Sequence, residues 1–556
     1  MAAGGSDDDP TFRLTADGKV YRRGQKKYAN LDIYDGEFLD NMRHGQGVLR
    51  VFCGDRYEGE WERNLFHGQG VYTYTAFADE GGDYITGKRY EGGWKDGKFH
   101  GRGVYILGDG TVYSGEFERG LYHGKGTLKT KSDDTYTGVF ARGKPAGKMR
   151  VTFANGDLYD GEMRCGNFQG KGKFEYANGK GIYEGEWERG LANGQGMRIY
   201  SNGSRYVGQF LDGEANGQGV MFYSNGDQYI GQFVRGSLCG RGVMKYSRGD
   251  MYEGSFLHGV FYGEGKFTWS DGSYYEGQYR YAKTDKITEA QVPVANGKRH
   301  GFGLRVFANG AKYKGAWTND KMDGAGELIQ ADGARFEGVF TNGLKHGYGI
   351  ETVGNLLAIN YICPMGHRHK GIGFCRYEGD YKKGFFHGQG TYRCLDGREY
   401  KGFFADGKRN GFGRQEYLRE GDRGDLARHC IGGRHSMYRI DFYEGNWVDN
   451  ERHGAGTVTY INGDSVSGNF VNGIVDGFAE YTFVSGGKRR RRMVRYVRGE
   501  RKEWMAAGAK AAKEASSFLI KLRGQIATEA EFNRQVERDN LASRGTSRGT
   551  SRGSSR

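Results

Sequence analysis

Apolar and polar residues alternate over short stretches of this chain, and the alternation recurs at a fixed interval. Seventeen segments align with one another, most often 23 residues apart, and one of them reads YVGQFLDGEANGQGVMFYSNGDQ from Tyr206 to Gln228. Self-similarity at a period of about 20–50 residues is typical of repeat architectures. The copies begin at Tyr34, Tyr57, Tyr90, Tyr113, Tyr136, Tyr159, Tyr183, Tyr206, Tyr229, Tyr252, Tyr275, Tyr313, Phe336, Tyr377, Tyr400, Tyr443 and Val466.

Each copy carries two alternating stretches. Positions 1, 3 and 5 hold Tyr, Gly and a second aromatic residue, which predicts one face of a β-strand. Position 3 is Gly in all seventeen copies, and position 5 is aromatic in every copy except the one with Met163. Positions 14, 16 and 18 form a second alternation, for example Gly265, Phe267 and Trp269. The pattern therefore predicts two half-buried strands per copy.

Two turn signals separate these strands. The first is a Gly near position 8, as in Asp212-Gly213, and the second is an Asn-Gly or Asp-Gly pair near position 20, as in Asn225-Gly226. Such pairs tolerate the positive φ angles that tight hairpin turns require. Each copy is thus predicted to be one β-hairpin, joined to the next copy by a further hairpin turn.

The pattern Y-x-G-x-[FW]-x-x-G-x-x-[HN]-G-x-G resembles the MORN (membrane occupation and recognition nexus) repeat over roughly residues 34–488. Tyr57–Gly70 and Tyr377–Gly390 follow it closely. The resemblance implies an all-β fold, an elongated single-layer antiparallel β-hairpin solenoid, with a C-terminal helix and a disordered basic tail. The repeat positions that represent it are Tyr57, Gly59, Trp61, Tyr206, Gly208, Phe210, Tyr377, Gly379 and Tyr381.

The predicted organisation has four parts. Residues 1–33 form an N-terminal extension that is partly disordered, and residues 34–488 form the array. Residues 489–541 form a basic segment and an amphipathic helix, and residues 542–556 form a low-complexity SRGT tail. Four copies carry insertions, near residues 77–86, 281–295, 354–371 and 419–438. Three of these fall in the turn between copies, and the 281–295 insertion falls in the turn within its copy. Inserted loops in repeat proteins either bind partners or are lengthened turns that the fold tolerates.

The positive charge is concentrated at the C-terminus. Residues 488–556 carry 19 Lys and Arg against 7 Asp and Glu, whereas residues 1–487 carry 63 against 61. Because its positive and negative charges are nearly equal in number, the array is not expected to bind nucleic acid. The basic cluster fits a solvated face, a nuclear-localisation-like patch, or a contact with anionic lipid or the acidic surface of microtubules. The contact candidates are Lys488, Arg489, Arg490, Arg491, Arg492 and Arg495.

A helix is predicted from about Glu500 to Leu541. Its apolar stripe is expected to cap the last hairpin or to pack on a partner rather than to enter a membrane. The stripe consists of Ala515, Phe518, Leu519, Leu522 and Ile526.

Composition agrees with a packed array of strands and turns. The chain has 100 Gly but only 4 Pro, and 14% of its residues are aromatic, which is too many for a disordered chain. Its 7 cysteines show no disulfide spacing, which fits a reducing compartment. No signal peptide or membrane-spanning run is evident, so an intracellular, soluble protein is expected.

A search for catalytic or cofactor-binding chemistry yields only one weak metal candidate. Cys363, His367, His369 and Cys375 are zinc-type ligands, but their C-x3-H-x-H-x5-C spacing matches no zinc module, so no metal site is predicted. Histidines recur near position 11 of many copies, where Asn replaces them at Asn193 and Asn216, which favours a structural role. Phosphate-loop, dinucleotide, kinase and nucleophile-elbow motifs are not found. A non-enzymatic chain without a cofactor is predicted.

Three functions follow from the resemblance. The array looks similar to radial-spoke head proteins, which implies a cytoskeletal scaffold in the axoneme of a cilium or flagellum. Its partners would be other cytoskeletal or axonemal proteins, with self-association also expected because a sheet has open edges. Junctophilin-like members imply the alternative, a membrane–cytoskeleton adaptor that binds anionic lipid through the basic segment. A regulatory module of an enzyme complex is the third.

Overall fold

The structure is a computed structural model that describes residues 12–14, 17–75, 87–280, 297–352, 361–362, 368–369, 376–394, 397–417 and 440–504, and helical positions between 513 and 538. It divides into two units, Met1–Val260 and Phe261–Arg556. Within each unit, strands that follow one another along the array pair antiparallel, as in Gly208 opposite Gly219 and Gly315 opposite Gly326.

The first unit contains strands of mostly seven and nine residues in alternation. They are β1 (Phe12–Leu14), β2 (Val20–Lys27), β3 (Ile33–Leu39), β4 (Met42–Arg50), β5 (Arg56–Glu62), β6 (Leu65–Thr73), β7 (Arg89–Lys95), β8 (Lys98–Ile106), β9 (Val112–Glu118), β10 (Leu121–Lys129), β11 (Thr135–Ala141), β12 (Lys144–Thr152), β13 (Leu158–Arg164), β14 (Asn167–Tyr176), β15 (Gly181–Glu188), β16 (Leu191–Tyr200), β17 (Arg205–Leu211), β18 (Glu214–Phe222), β19 (Gln228–Val234), β20 (Ser237–Lys245) and β21 (Met251–Leu257). One short 3-10 turn, Ala177–Gly179, lies between β14 and β15.

The second unit repeats the same alternation. Its strands are β22 (Val260–Thr268), β23 (Tyr274–Arg280), β24 (Lys298–Val306), β25 (Lys312–Thr318), β26 (Lys321–Ile329), β27 (Arg335–Thr341), β28 (Leu344–Thr352), β29 (Tyr361–Ile362), β30 (Arg368–His369), β31 (Arg376–Lys382), β32 (Phe385–Arg393), β33 (Glu399–Ala405), β34 (Lys408–Glu416), β35 (Ile440–Val448), β36 (Glu451–Tyr460), β37 (Ser465–Val471), β38 (Ile474–Ser485), β39 (Lys488–Val497) and β40 (Glu500–Trp504). β28 pairs with β31, and β29 and β30 form a separate two-stranded sheet.

The two turn signals form two different turns, as their sequences predict. β17 and β18 are joined by Asp212 and Gly213, whose φ angles of 49° and 88° fit a two-residue turn of type I′. β18 and β19 are joined by five residues, in which the Tyr223 amide donates to the Asp227 carbonyl. The turn types therefore follow directly from Gly and Asn at these positions, and the predicted antiparallel hairpin array is confirmed.

At both ends the paired strands continue past the predicted array. β1 and β2 precede residue 34, and β2 pairs with β3. At the other end Lys488–Val497 is strand β39, and β40 occupies Glu500–Trp504, where the sequence predicts the start of a helix. Val494 and Tyr496 are buried at alternate positions of β39. This two-residue period places the segment in the sheet although a run of positive charges precedes it. Among the residues that the structure describes after Trp504, the first helical position is residue 513.

The copy at Tyr136 departs from the others inside the first unit. Position 14, usually Gly, is Met149, whose side chain is buried and lies against Gly138. The Tyr136 ring is therefore left partly exposed, while the equivalent tyrosines are fully buried. The backbone pairing of β11 with β12 is retained.

Candidate interaction surfaces

One face of the array, here called the aromatic face, is filled by rings of positions 1 and 5. The Tyr206 ring packs edge-to-face on Phe210 of its own copy at 5.1 Å and on Phe233 of the next copy at 4.8 Å. Tyr57 does the same with Trp61 at 5.1 Å and Trp94 at 5.3 Å. Edge-to-face contact is a favoured geometry for aromatic rings. Each tyrosine ring thus links two copies. The rings at the repeat positions predicted from the sequence form a series of such contacts, here called the tyrosine ladder or simply the ladder.

Position 1 is tyrosine in fifteen of the seventeen copies, and the tyrosine hydroxyl reaches the backbone. Tyr206 Oη donates to the Gln209 carbonyl at 2.8 Å, and Tyr377 Oη donates to the Asp380 carbonyl at the same distance. These carbonyls lie at position 4, where the strand bulges between positions 3 and 5. The same bond is made by Tyr34, Tyr57, Tyr90, Tyr113, Tyr159, Tyr183, Tyr229, Tyr252, Tyr275, Tyr313, Tyr400 and Tyr443.

The glycines at positions 3 and 14 face each other beneath this ring. A methyl group on Gly208 would lie 2.5 Å from the Gly219 Cα and 2.6 Å from the Tyr206 hydroxyl oxygen. A methyl group on Gly59 would meet the Gly70 backbone in the same way. Non-bonded carbon atoms prefer about 3.5–4.0 Å, so only glycine fits here. This close approach explains why position 3 is Gly in every copy.

Position 10 covers the outer side of the tyrosine ring, and the sequence analysis missed it. In some copies it is aromatic and stacks on the ring, as Phe66 does on Tyr57 at 3.9 Å. In others it is arginine over an indole, as in Arg409, whose Cζ lies 4.1 Å from the Trp447 ring centroid. Because residues of different chemistry perform the same task, no single residue type marks this position.

A carboxylate two residues before position 1 bridges successive five-residue turns, and this was also missed. Asp227 Oδ1 accepts from the Ser247 amide at 2.8 Å, twenty residues further along the chain. Asp157 accepts from the Ala177 amide at 2.7 Å. The recurrence of Asp, Ser or Thr at this position was the available signal. These bonds fix one turn against the next along one edge of the unit.

The opposite surface, here called the polar face, carries positions 2, 4, 13 and 15. Glu60 Oε1 accepts from the Gln69 amide at 2.8 Å, and Gln209 Oε1 accepts from the Gln218 amide at 2.8 Å. An open groove of about 620 Å³ crosses this face in the first unit, lined among others by Glu91. Its lining mixes carboxylate, amide and guanidinium groups with bare glycine backbone, which suits polar contact with a protein surface.

The basic contact candidates lie on a hairpin formed by β38 and β39, here called the basic hairpin (residues 478–495). Its turn is Gly486-Gly487, with φ angles of 61° and 70°. Ser485 pairs with Lys488 and Val484 pairs with Arg489, so both strands run past the usual end of a copy. Val484 is 55% exposed. The side chains of Lys488, Arg489, Arg490, Arg491, Arg492 and Arg495 are all exposed.

The C-terminal helical positions touch the polar face close to this hairpin. Ile526 and Met493 both pack against Ala455, and Arg523 forms an ion pair with Glu480. Ala455 and Glu480 occupy positions 13 and 15 of their copies. Among the described residues, no helix combines the length and hydropathy needed to cross a membrane.

The weak metal candidates are not brought together by anything that the structure describes. Cys363, His367 and Cys375 lie outside the described residues, and only the backbone of His369 is described. The position-11 histidines follow the two-residue turns, where His67 Nε2 lies 3.3 Å from a Glu62 carboxylate oxygen. Within the described part of the chain, no cluster of three His, Cys, Asp or Glu residues has a metal-binding arrangement.

Burial of the tyrosine ladder predicts alkaline unfolding. Burial raises the pKa of Tyr113, Tyr183 and Tyr206 from 10.0 to about 12. A raised phenol pKa stabilises the folded chain below pH 10, and this contribution is lost as pH rises from 10 through about 12. We expect the sheet signal in circular dichroism and tyrosinate absorbance to change together in that window. The guanidinium-unfolded chain should titrate near pH 10, and a folded chain that ionises there without losing its sheet would contradict the prediction.

Comparison with protein-family models matches the chain to "MORN repeat" over more than half of its length. The matched residues are 34–50, 57–76, 90–112, 113–135, 159–181, 183–205, 206–228, 229–251, 252–274, 294–312, 313–335, 336–354, 377–397, 400–417, 443–465 and 467–488. The fifth predicted copy, residues 136–158, is not among them, and it is the copy in which Met149 replaces the second glycine.

Comparison with individual proteins adds little. No curated protein matches. Among solved structures, the chain is similar to the SAS-4 (dCPAP) TCP domain of Drosophila melanogaster in complex with a proline-rich motif of Ana2 (dSTIL), with 14% identity, a TM-score of 0.19, and coverage of 28% of this chain and 84% of that one. A streptogramin B lyase structure is similar with 9% identity, a TM-score of 0.10, and coverage of 52% and 89%. At these scores neither structure bears on function.

Proposed function

Because this chain belongs to the MORN repeat family, a repeat-based binding scaffold, we propose that it is a non-catalytic structural scaffold of the cytoskeleton. The observation that carries the proposal is the tyrosine ladder. The residues that recur in every copy contact backbone and neighbouring rings, so they serve the fold, and the variable positions remain for contact with partners. Stability in such arrays comes mainly from nearest-neighbour contacts, which allows the surface to vary along the chain.

The proposed setting is the axoneme of a cilium or flagellum, with a place similar to that of radial-spoke head proteins. The support is the resemblance of a long MORN array, interrupted by insertions and carrying no recognised catalytic motif, to those proteins. Such a part would bind other axonemal proteins along its polar face and turn edges. This setting rests on family analogy.

Localisation of a fluorescently tagged full-length chain in ciliated cells tests this setting. We expect the tag along the axoneme, retained after detergent extraction of the membrane. A signal confined to the detergent-soluble fraction would contradict the axonemal scaffold. A signal on detergent-sensitive membrane sites would favour the adaptor function.

A membrane–cytoskeleton adaptor is the second candidate, and the basic hairpin favours it. An exposed apolar side chain, Val484, lies directly opposite Arg489 near the tip of a two-stranded projection. Basic residues near an anionic leaflet contribute about 1 kcal/mol each. The hairpin would therefore place several cations and one apolar residue at a phosphatidylserine surface.

Neutralising two arginines of this hairpin gives the matched experiment. Arg489→Gln with Arg490→Gln should weaken flotation on phosphatidylcholine–phosphatidylserine vesicles about 30-fold, with a smaller effect at high salt. Lys144→Gln with Lys148→Gln removes two exposed cations from β12 and should change nothing. Equal binding by all three proteins, or no binding by the parent chain, would remove the adaptor function.

A further inference from the structure

The polar face of the first unit carries an uninterrupted row of apolar side chains across five neighbouring strands. Met197 of β16 lies opposite Val207, and Val207 lies opposite Val220. The row continues from Val220 to Ile230 and from Ile230 to Val243. Strands lie about 4.8 Å apart, so these five residues, here called the apolar row, extend about 19 Å.

The tyrosine ladder does not explain the apolar row, because the side chains of the row lie on the opposite face of the sheet. Val207 lies between buried Tyr206 and Gly208, and successive residues of a strand face opposite sides. Val207 and Ile230 are each 39% exposed. Leu211 and Val234, near the two-residue turns, are about half exposed and widen the apolar surface.

On one side of the row, the flanking position is an uncharged glutamine on four of the five strands and Arg241 on the fifth. Gln195 lies opposite Gln209, and Gln218 lies opposite Gln232. In earlier copies the same positions hold charged residues, as in Glu116 opposite Arg102. The row itself ends where it meets acidic residues, Glu184 opposite Met197 and Glu253 opposite Val243.

The rest of the polar face shows that this arrangement is local. Val71 and Val104 occupy the same position 15 in their copies, but Glu91 lies between them and pairs with both. Isolated valines between carboxylates offer no continuous apolar surface. An exposed, contiguous apolar patch rimmed by polar residues marks a binding site more often than scattered apolar residues do.

The chain itself shows what the polar face can hold. At the C-terminal end, a helical segment of the same chain rests on equivalent positions, with Ile526 against Ala455 at position 13 and Arg523 paired with Glu480 at position 15. A helix rises about 5.4 Å per turn, close to the strand spacing of about 4.8 Å. A helix lying across the strands therefore meets roughly one strand with each turn.

We propose that the apolar row is a docking site for an amphipathic α-helix of a partner protein. The helix lies across strands β16–β20, and its apolar residues at i, i+3, i+7 and i+11 span about 17 Å of the row. The glutamines beside the row can donate hydrogen bonds to the polar side chains of the helix and accept hydrogen bonds from them. They carry no charge that would repel the helix. This inference rests on the proposed scaffold function and names the class of partner.

A helical peptide of about 18 residues provides the probe. It carries leucines at i, i+3, i+7 and i+11 among Gln, Ser and Lys, is labelled with a fluorophore, and is titrated with the full-length chain by anisotropy. We expect saturable binding that Val220→Glu weakens at least about tenfold, because a carboxylate would be buried against the leucines. Val104→Glu, an equally placed valine outside the row, should leave the affinity unchanged.

Three results would overturn the proposal. One is equal binding by the Val220→Glu and Val104→Glu chains. Another is equal binding of a peptide of the same composition with its stripe scrambled, which would indicate non-specific stickiness. The third is self-association in sedimentation velocity that Val220→Glu abolishes, which would assign the row to a second copy. Circular dichroism checks that both variants fold, and since neither substitution touches the ladder, axonemal localisation of the tagged chain can succeed or fail independently.

Discussion

Replacing Tyr206 by alanine is expected to destabilise its part of the array by about 3–5 kcal/mol, the usual cost of deleting a buried aromatic ring. The ring is fully buried, and its loss also removes the hydroxyl donated to the Gln209 carbonyl. It contacts the rings of Phe210 and Phe233, so two copies lose packing at once. Because the damage is local in a repeat array, amide hydrogen exchange in β17–β19 measures it best.

Two variants separate the contributions of the ring. Tyr206→Phe keeps the packing and leaves one carbonyl without its donor, so about 1 kcal/mol is expected. Phe336 stands at this position in another copy and is buried there, which supports such tolerance. Tyr136→Ala removes a partly exposed ring and should also cost about 1 kcal/mol. Equal losses for Tyr206→Ala and Tyr136→Ala would refute the ladder as the source of stability.

Adding a single methyl group at Gly219 is expected to cost about 3 kcal/mol, a large effect for a Gly→Ala change. The new carbon would lie 2.5 Å from Cε2 and 2.6 Å from Cζ of Tyr206, so the ring must leave its site. Gly213→Ala is the control. It lies in the two-residue turn with nothing within 4 Å, and only its positive φ of 88° opposes a side chain, at about 1–2 kcal/mol.

The last copy of the array shows how such a methyl group can be accommodated. There Ala479 lies opposite Gly468, and position 1 is Val466 instead of tyrosine. The double variant Tyr206→Val with Gly219→Ala should therefore be more stable than the sum of its single changes, by about 2 kcal/mol. Urea unfolding and hydrogen exchange of the four proteins give this coupling. Strict additivity would show that ring and glycine do not compete for one space.

The features that the sequence predicted well are those in which only one residue type is physically possible. Gly208 must be glycine because backbone faces backbone, and Gly213 is favoured because its φ angle is positive. The first constraint makes position 3 Gly in all seventeen copies, and the second makes position 8 Gly in twelve of them and Asn or Asp in four others. Tyrosine at position 1 is similarly visible, although its bond to the position-4 carbonyl required coordinates.

The features that the sequence did not predict are those in which several residue types can make the same contact. Phe66 and Arg409 occupy the same position over a ring by stacking and by cation–π attraction. The apolar row depends on register across five strands, and no single copy displays it. In β39 the run from Lys488 to Arg492 hides the alternation of Val494 and Tyr496, so a strand was taken for a basic segment.

The copy at Tyr136 has a mechanical consequence for the first unit. Its strands remain hydrogen-bonded, but Met149 lies against Gly138, where the tyrosine hydroxyl lies in other copies, and Met163 stands at position 5 of the next copy. The sheet there lacks the edge-to-face ring contact to the next copy that Tyr113 makes with Phe140 and Tyr159 makes with Trp187 on either side. Under tension or on heating, we expect the first unit to unfold first at this copy. The segments on either side of it should then each unfold cooperatively.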